Sequence, residues 1–429
     1  MKKIIYLFIF ILWSCSTIAE ENLKFYIIKA IDNNLQLNAE RKKFESSKQK
    51  QNISKSEFLP SITLSGDQTS TTSTNRTDQS GTSLSNTNLD SERKIISIEQ
   101  KIFSGFKGVN TFKKSELESE KANLELKEME QKTILDTAFA YYDLIFKLNN
   151  ERFNASNVKL FERQVEFDNA RLQKGEITLT DLAQSESSLA GAEANLIKAK
   201  TELFSSVTNF ERVTREKAPS IDNLNGRIIL DLPISLNSAL EISEKNNINL
   251  LISKLDYDIS IKEFNIEKAR FSPSAKIEVS RSENKDFSTT IGEKDDESVK
   301  ASITWPIIKG GENVSSIKKS SFDKQRAQLL FEDAKKNIST ETSNFWSKYQ
   351  SSKSVLDATS AQLKAAEIAN EGITLEYDSG NTRTTLEVIQ SRSLLLNAQI
   401  AFAKAQRDFM VSQFELAKQI GTLSERSLK

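Results

Sequence analysis

The side chains that most often carry enzymatic chemistry are nearly absent from this sequence. Its 429 residues include no histidine and a single cysteine, Cys15. No glycine-rich phosphate-binding loop and no cluster with metal-ligand spacing can be recognised. A serine–lysine or carboxylate pair stays chemically open, but no spacing singles one out. We therefore expect a protein that is not an enzyme and that holds no cofactor and no metal.

Charge and composition narrow the class further. The 59 basic and 59 acidic residues balance, which argues against a nucleic-acid-binding surface. With only 13 glycines and 5 prolines, little of the chain can be turn, so most of it must be long helix. The hydrophobic fraction of 38% is low for a chain this long, as in a thin wall that water wets on both sides.

The first residues read as an export signal. Two lysines precede the apolar run Ile4–Trp13, and small residues then lead to Ala19. That run is about half of the ~20 residues that a membrane-spanning helix needs, so we predict a signal peptide over residues 1–19. An uncleaved signal anchor and a lipidated Cys15 are the alternatives. No later stretch could cross a bilayer as a helix, so the sequence predicts that any membrane insertion uses β-strands.

The same unit occurs twice along the chain. Pro60 and Pro273 lie 213 residues apart, whereas Gly105 and Gly310 lie 205 apart. The difference arises in a Ser-, Thr- and Asn-rich segment, where a surface loop tolerates a change of length. The predicted divisions are a signal peptide (1–19), a first repeat (20–217, hairpin 58–103), a linker (218–233), a second repeat (234–421, hairpin 272–308) and a C-terminal tail (422–429).

Each repeat predicts one very long helix followed by a heptad seam. The segments between Gly105 and Gly175 and between Gly310 and Gly380 are proline-free, and such a helix spans about 105 Å. Large and small residues alternate along the two seams, which allows close helix packing; an ordinary antiparallel bundle is the alternative. The seams are Leu182, Ser185, Leu189, Ala192, Leu196, Ala199, Leu203, Ser206 and Phe210, and Val388, Ser391, Leu395, Ala398, Phe402, Ala405, Phe409, Ser412 and Leu416.

The two variable segments alternate between apolar and polar residues, as β-hairpins do. The predicted arms are 61–65 and 96–99 around a loop at 69–90, and 275–279 and 299–305 around a loop at 281–297. Four strands cannot close a membrane barrel, so inserted hairpins require several copies of the chain to share one. The alternative is a pair of soluble hairpins that decorate a coiled coil.

In this order and spacing, the motifs resemble those of the TolC-type outer membrane efflux proteins. The resemblance covers essentially the whole mature chain, from Glu21–Leu23 through both proline-led hairpins and both glycine turns to Lys418–Leu423. Each motif is weak alone, but together they are specific. The match just after Ala19 also favours cleavage there over lipidation of Cys15.

The resemblance implies a mainly α fold with a small β part. Duplicated coiled-coil helices and β-hairpins would form a homotrimer, whose 12-stranded outer-membrane β-barrel continues into a periplasmic α-helical barrel. The linker would lie at the equator of this tube. The implied function is an exit duct for efflux or type I secretion, in outer membrane lipid and extending into the periplasm. Its implied partners are a periplasmic membrane-fusion adaptor and an inner-membrane pump of RND, ABC or MFS type.

The family's tip residues transfer to this sequence one by one. The resemblance implies that Gly175 and Gly380 are the turns where the adaptor docks. It implies an entrance gate formed by Thr180, Asp181, Tyr377 and Arg383. It also implies a pore constriction at Glu387 and Gln390, where the neutral Gln390 replaces an acid of the family. Without the family, Asp181, Tyr377 and Arg383 would read as solvated groups at helix ends.

Two rival functions stay open at this level. A structural or adhesive periplasmic coiled-coil protein predicts no channel activity, and an enzyme has no supporting motif. The sequence does not distinguish drug efflux from protein secretion, because the duct is common to both and the pump selects the cargo.

Overall fold

The computed structural model describes residues 23–219, 228–379 and 383–428, and helices dominate these ranges. The predicted signal peptide with Cys15, residues 220–227 of the predicted linker, and Gly380 lie outside the described residues. The helices are α1 (Leu23–Asn33), α2 (Leu35–Lys55), α3 (Lys107–Gln173), α4 (Leu179–Thr214), α5 (Leu236–Asn246), α6 (Ile248–Lys268), α7 (Glu312–Asp378) and α8 (Thr385–Gln419).

Helix lengths show the duplication directly. Helices α1 and α5 have 11 residues each, α2 and α6 have 21, and α3 and α7 have 67. Helices α4 and α8 have 36 and 35. The two longest helices contain no proline, so nothing in their sequence removes a backbone hydrogen bond along their length. The predicted pairs of very long helices are confirmed.

Four long strands form one antiparallel sheet in the order β1–β4–β5–β6. Two short strands pair separately within the segment that connects the two arms of the first hairpin. The strands are β1 (Ser61–Ser73), β2 (Arg76–Thr77), β3 (Ser83–Leu84), β4 (Thr87–Phe103), β5 (Ser274–Ser288) and β6 (Ile291–Thr304). The register aligns Ile62 with Ile98, Ile98 with Val279, and Val279 with Val299, so apolar side chains share one face.

The hairpins are confirmed, but the predicted extents of their loops are wrong. Most of the predicted loop at 281–297 is strand, and β5 and β6 pair up to Ser288 and Ile291. Strand β1 likewise continues through Ser73 into the predicted loop at 69–90. The prediction followed apolar alternation, which stops where the strands become polar on both faces. Backbone pairing does not depend on that alternation, so the ladder continues.

The chain forms two compact units. The first comprises the described residues of 1–38, 129–246 and 339–429, and the second comprises 39–128 and 247–338. In the first unit an aromatic cluster joins Tyr26 to Phe210 and Tyr141, with ring centroids 4.9 and 6.2 Å from Tyr26. In the second unit ion pairs join helices, with Lys121 Nζ 2.5 Å from Asp256 Oδ1.

The predicted seams face inward. Their small residues are buried in both repeats, and their large residues are buried or half-buried. The buried small residues are Ser185, Ala192, Ala199, Ser206, Ser391, Ala398, Ala405 and Ser412. This pattern lets neighbouring helices approach closely, as the sequence predicts. In the described part of the chain, no helix has the length and apolar character needed to cross a membrane.

Candidate functional site at the helix turns

The turn between α3 and α4 depends on a glycine. Gly175 has φ +76°, a conformation that residues with a Cβ rarely adopt. Its amide donates to the Leu172 carbonyl at 2.9 Å, and the Glu176 amide donates to the Arg171 carbonyl at 2.9 Å. This is a Schellman-type helix end. An added Cβ would meet no atom within 4 Å, so the backbone angle, not lack of space, calls for glycine here.

The helices that follow the two turns begin in the same way. Thr178 precedes α4, and its hydroxyl accepts from the Asp181 amide at 3.3 Å, while Asp181 Oδ2 accepts from the Thr178 amide at 2.9 Å. Thr384 precedes α8 and makes the same pair of bonds with Glu387, at 3.3 and 2.8 Å. Both are capping boxes, which satisfy amides that the first helical turn leaves unpaired.

The caps hold their carboxylates in the charged form. The hydrogen bond from the Thr178 amide lowers the pKa of Asp181 below its ordinary value, and the Thr178 hydroxyl adds to this. The Thr384 amide lowers the pKa of Glu387 in the same way, with a further contribution from Arg383. Both groups are therefore anions at neutral pH.

An ion-pair cluster, here called the exposed clamp, joins the end of α7 to the start of α8. Arg383 donates from Nε to Glu376 Oε2 at 2.6 Å and from Nη1 to Glu387 Oε1 at 3.0 Å. Hydrogen bonds from the guanidinium to these two carboxylates raise the pKa of Arg383. All three side chains are more than a third exposed to water, so solvent screens their attraction.

A second cluster, here called the buried hub, connects all four helices near the turns. At its centre the Asp168 carboxylate of α3 is fully buried. It accepts from Gln164 Nε2 at 3.0 and 3.1 Å, from the Ser185 hydroxyl of α4 at 2.6 Å, and from the Tyr377 hydroxyl of α7 at 2.7 Å. The Thr385 hydroxyl of α8 lies 3.0 Å from the Tyr377 hydroxyl.

Proton counting fixes the direction of these hydrogen bonds. The Tyr377 hydroxyl has one proton, which it gives to Asp168, so Thr385 must donate to it. Gln164 Nε2 also donates to the Tyr377 hydroxyl, at 3.2 Å. Burial raises the pKa of Tyr377 and keeps its phenol neutral, and the nearby Asp168 adds to this shift. The Arg171 guanidinium covers the Tyr377 ring, 5.0 Å from its centroid.

The structure brings together only some of the residues that the resemblance groups as a gate. Tyr377 lies in the buried hub, but its carboxylate partner is Asp168 and not Asp181. Within the described residues, no hydrogen bond or ion pair joins Asp181 to Tyr377 or Arg383. Thr180 is exposed one position before Asp181.

The two residues predicted at the constriction share one groove. Glu387 and Gln390 line a cavity of about 420 Å³ between α7 and α8, with Ala365, Ala369 and Leu394. Gln390 is exposed, and the Glu387 carboxylate is bonded to its own cap and to the clamp. Across the described ranges, no three His, Cys, Asp or Glu residues lie together as a metal site would need.

Sequence reasoning missed the centre of the hub. Asp168, Gln164 and Thr385 carry no motif of their own, and Ser185 appeared only as a small seam residue. One signal was available: Gln164 and Asp168 are spaced i, i+4 on a helix, so they share a face. That face is the buried one, because both side chains are at most 4% exposed.

Comparison with known proteins identifies the family. The profile of the family described as "Outer membrane efflux protein" matches residues 26–214 and 239–422. The chain belongs to the outer membrane efflux protein family. This confirms the resemblance that the motifs indicate, and with it the function of an exit duct in the outer membrane.

Individual members of the outer membrane efflux family align along much of the chain. The outer membrane efflux protein BepC of Brucella suis is 25% identical over 95% of this chain and 87% of its own length. Outer membrane protein TolC of Escherichia coli is 23% identical over 70% of this chain and 63% of its own length. The crystal structure of VceC from Vibrio cholerae superposes with a TM-score of 0.79 at 16% identity, covering 93% of this chain and 96% of VceC. The fold is that of these channels.

Proposed function

We propose that three copies of this chain assemble into one outer-membrane exit duct that works with a periplasmic adaptor and an inner-membrane pump. The observation that carries the proposal is the four-stranded sheet. In a single chain its apolar face is open to water, and each outer strand has one unpaired edge. The exposed apolar residues are Ile62, Leu64, Ile96, Ile98, Ile277, Val279, Val299 and Ile303.

The sheet supports assembly because its outer edges need backbone partners, while its two faces differ in polarity. Strand β1 pairs only with β4, and β6 pairs only with β5, so both outer edges present unpaired backbone groups. Lipid does not tolerate such edges, whereas joining the sheets of three chains closes them into a twelve-stranded barrel. The opposite face is polar, with Lys276 Nζ 2.6 Å from Glu99 Oε2, as suits a water-filled interior.

The turn that contains Gly175 supports the docking part of the proposal. Glycine is required there by the backbone and not by neighbouring atoms, so the turn is open to a partner. We assign the adaptor-docking tip to this turn and to the turn at Gly380. Thr180, Asp181, Tyr377 and Arg383 are the proposed entrance gate, and Glu387 with Gln390 is the proposed constriction.

The inner-membrane pump selects the cargo, and the duct does not. A passive conduit accepts what its pump delivers, so drug efflux and type I protein secretion are both compatible with this chain. Co-purification with the inner-membrane pump, of RND, ABC or MFS type, would decide between them.

Mass measurement and conductance together test the proposal. The detergent-solubilised protein should have the mass of three chains and should form channels in planar lipid bilayers. A monomer that stays stable in lipid contradicts the trimer.

The docking tip has a test of its own. Gly175→Val should abolish export while trimers still reach the outer membrane. Gly191→Val serves as a control, because Gly191 lies within α4. Normal export by Gly175→Val refutes the docking assignment.

A further inference from the structure

We propose that Asp168 is the positioning residue that holds α7 and α8 against α3 and α4 at the turns, and so sets the closed state of the entrance. This role is absent from the set of gate residues that the family resemblance supplies. The inference rests on the proposed function, because it assumes that the turns form the entrance of a duct.

Asp168 accepts hydrogen bonds from side chains on three helices near the turns. Its two oxygens accept four hydrogen-bond contacts from three side chains on α3, α4 and α7. Through the Tyr377 hydroxyl the network extends to Thr385 on α8. A single carboxylate is thus the common acceptor on which donors from different helices converge.

Burial makes the position of each donor matter. Asp168 is 0% exposed, Ser185 is 0% exposed and Tyr377 is 3% exposed, so water does not compete for these hydrogen bonds. The three side chains that donate to Asp168 are neutral hydroxyls or amides, and such donors satisfy a buried carboxylate only while all of them stay in place. Movement of α7 away from α3 breaks the hydrogen bond from the Tyr377 hydroxyl to Asp168 Oδ1, which then keeps only Gln164 as a donor.

This arrangement gives the turns two discrete states. In one state the network is complete and the four helices are held together. In the other it is broken, and water must replace the lost donors. A bistable element of this kind responds to any partner that binds the open state more tightly.

The experiment uses Asp168→Asn in the full-length protein. Asparagine keeps the shape of the side chain, but it replaces one acceptor oxygen with an amide that donates, so it opposes the Ser185 or Tyr377 hydroxyl. The matched control is Asp143→Asn on the same helix. Asp143 accepts from Arg407 Nη1 on α8 at 2.8 Å and from Ser206 on α4 at 3.2 Å, far along the helices from the turns.

Two measurements test the role of the hub separately from the proposed channel function. The first is single-channel conductance in planar bilayers. The second is the rate at which maleimide modifies a Val388→Cys variant, because Val388 lies in the first turn of α8 and is 0% exposed. The only other cysteine, Cys15, precedes the predicted cleavage site, so the label reports on the introduced thiol. Modification does not require conduction.

We expect Asp168→Asn to raise the open fraction, and with it the labelling rate, by about tenfold, the value for losing hydrogen bonds to one buried charged acceptor. Tyr377→Phe should have a similar effect, and the double variant should add little to either change, because both remove the same link. Asp143→Asn should leave labelling unchanged. Should Asp168→Asn prove unable to fold, Tyr377→Phe carries the same test.

The outcomes are distinct. Labelling by Asp168→Asn or Tyr377→Phe that matches Asp143→Asn overturns the inference. A wild-type protein that forms no channels overturns the proposed function, while the labelling rates still decide whether Asp168 holds the turns closed.

Discussion

The buried hub and the exposed clamp both link α7 to α8 near the turns with hydrogen bonds of similar length, yet they differ in how far water can replace those bonds. Tyr377 donates to Asp168 at 2.7 Å, and Arg383 donates to Glu376 at 2.6 Å. The clamp pairs opposite charges, but its groups can exchange each other for water at little cost. The hub uses neutral donors, and breaking it leaves buried polar atoms unsatisfied. Burial, not formal charge, therefore identifies the stronger link.

The two clusters also differ in their relation to the duplication. The capping boxes occur in both repeats, so Asp181 and Glu387 are equivalent. The hub occurs once: the position 205 residues after Asp168 is Ile373, and the position 205 before Tyr377 is Leu172. The duplicated scaffold thus builds two similar helix starts, at α4 and α8, and polar residues that are not duplicated, Asp168 and Tyr377, connect α3 to α7. The hydrogen bond that joins the two repeats therefore involves positions at which the repeats differ.

The largest effect should come from removing the Tyr377 hydroxyl. Tyr377→Phe keeps the ring against Arg171 but deprives Asp168 of its donor from α7, at a cost of about 1–3 kcal/mol. We expect a large rise in single-channel conductance, because the closed state loses the link and the open state does not.

Tyr349→Phe is the matched control for that variant. Tyr349 lies on the same helix, and among the described residues its hydroxyl makes no hydrogen bond, so its removal should not change conductance. Equal conductance of the two variants would show that the Tyr377 hydroxyl does not stabilise the closed state.

A smaller and symmetrical effect should follow from removing the caps. Thr178→Ala and Thr384→Ala each delete the hydroxyl that accepts from the third amide of the next helix, at a cost of about 1 kcal/mol. Amide hydrogen exchange should therefore accelerate in the first turns of α4 and α8 by a similar factor, about fivefold. The two effects should add, because the caps share no atoms. Exchange that changes in only one of the helices would contradict the equivalence of the two caps.

Breaking the clamp should change less. Arg383→Ser removes both ion pairs, but its partners Glu376 and Glu387 are exposed and become hydrated. We expect a change in conductance that is small beside that of Tyr377→Phe and that vanishes in high salt, where screening already weakens the pairs. Arg383→Lys, which keeps the charge, should be nearly silent. If Arg383→Ser raises conductance as far as Tyr377→Phe does, the hub does not stabilise the closed state more than the clamp.

Local patterns in the sequence predicted the scaffold but not the link. The seams, the paired long helices and the hairpins each follow from residues close together in the chain, and the structure confirms them. The hub depends on Asp168 and Tyr377, which are 209 residues apart and meet only because of tertiary packing. Its members are also too few to form a periodic pattern. The strand lengths were underestimated for a related reason, since backbone pairing continues where side-chain alternation ends.

The smallest effect should be confined to acid and should come from the two caps. The pKa values of Asp181 and Glu387 are lowered, chiefly by the amides of Thr178 and Thr384, from ordinary values of 3.8 and 4.5. A lowered pKa means that the folded state favours the charged form, so the stabilisation is complete above these values and is lost as the pH falls through the lowered ones. Between pH 5 and 8, exchange in the first turns of α4 and α8 should keep its ordinary pH dependence, and below about pH 4 it should accelerate further as the caps protonate. The variant Asp181→Asn, which has no proton to gain at that position, should lose this additional acid acceleration in α4 and retain it in α8. An acid acceleration in α4 that persists in Asp181→Asn would mean that another carboxylate controls the turn.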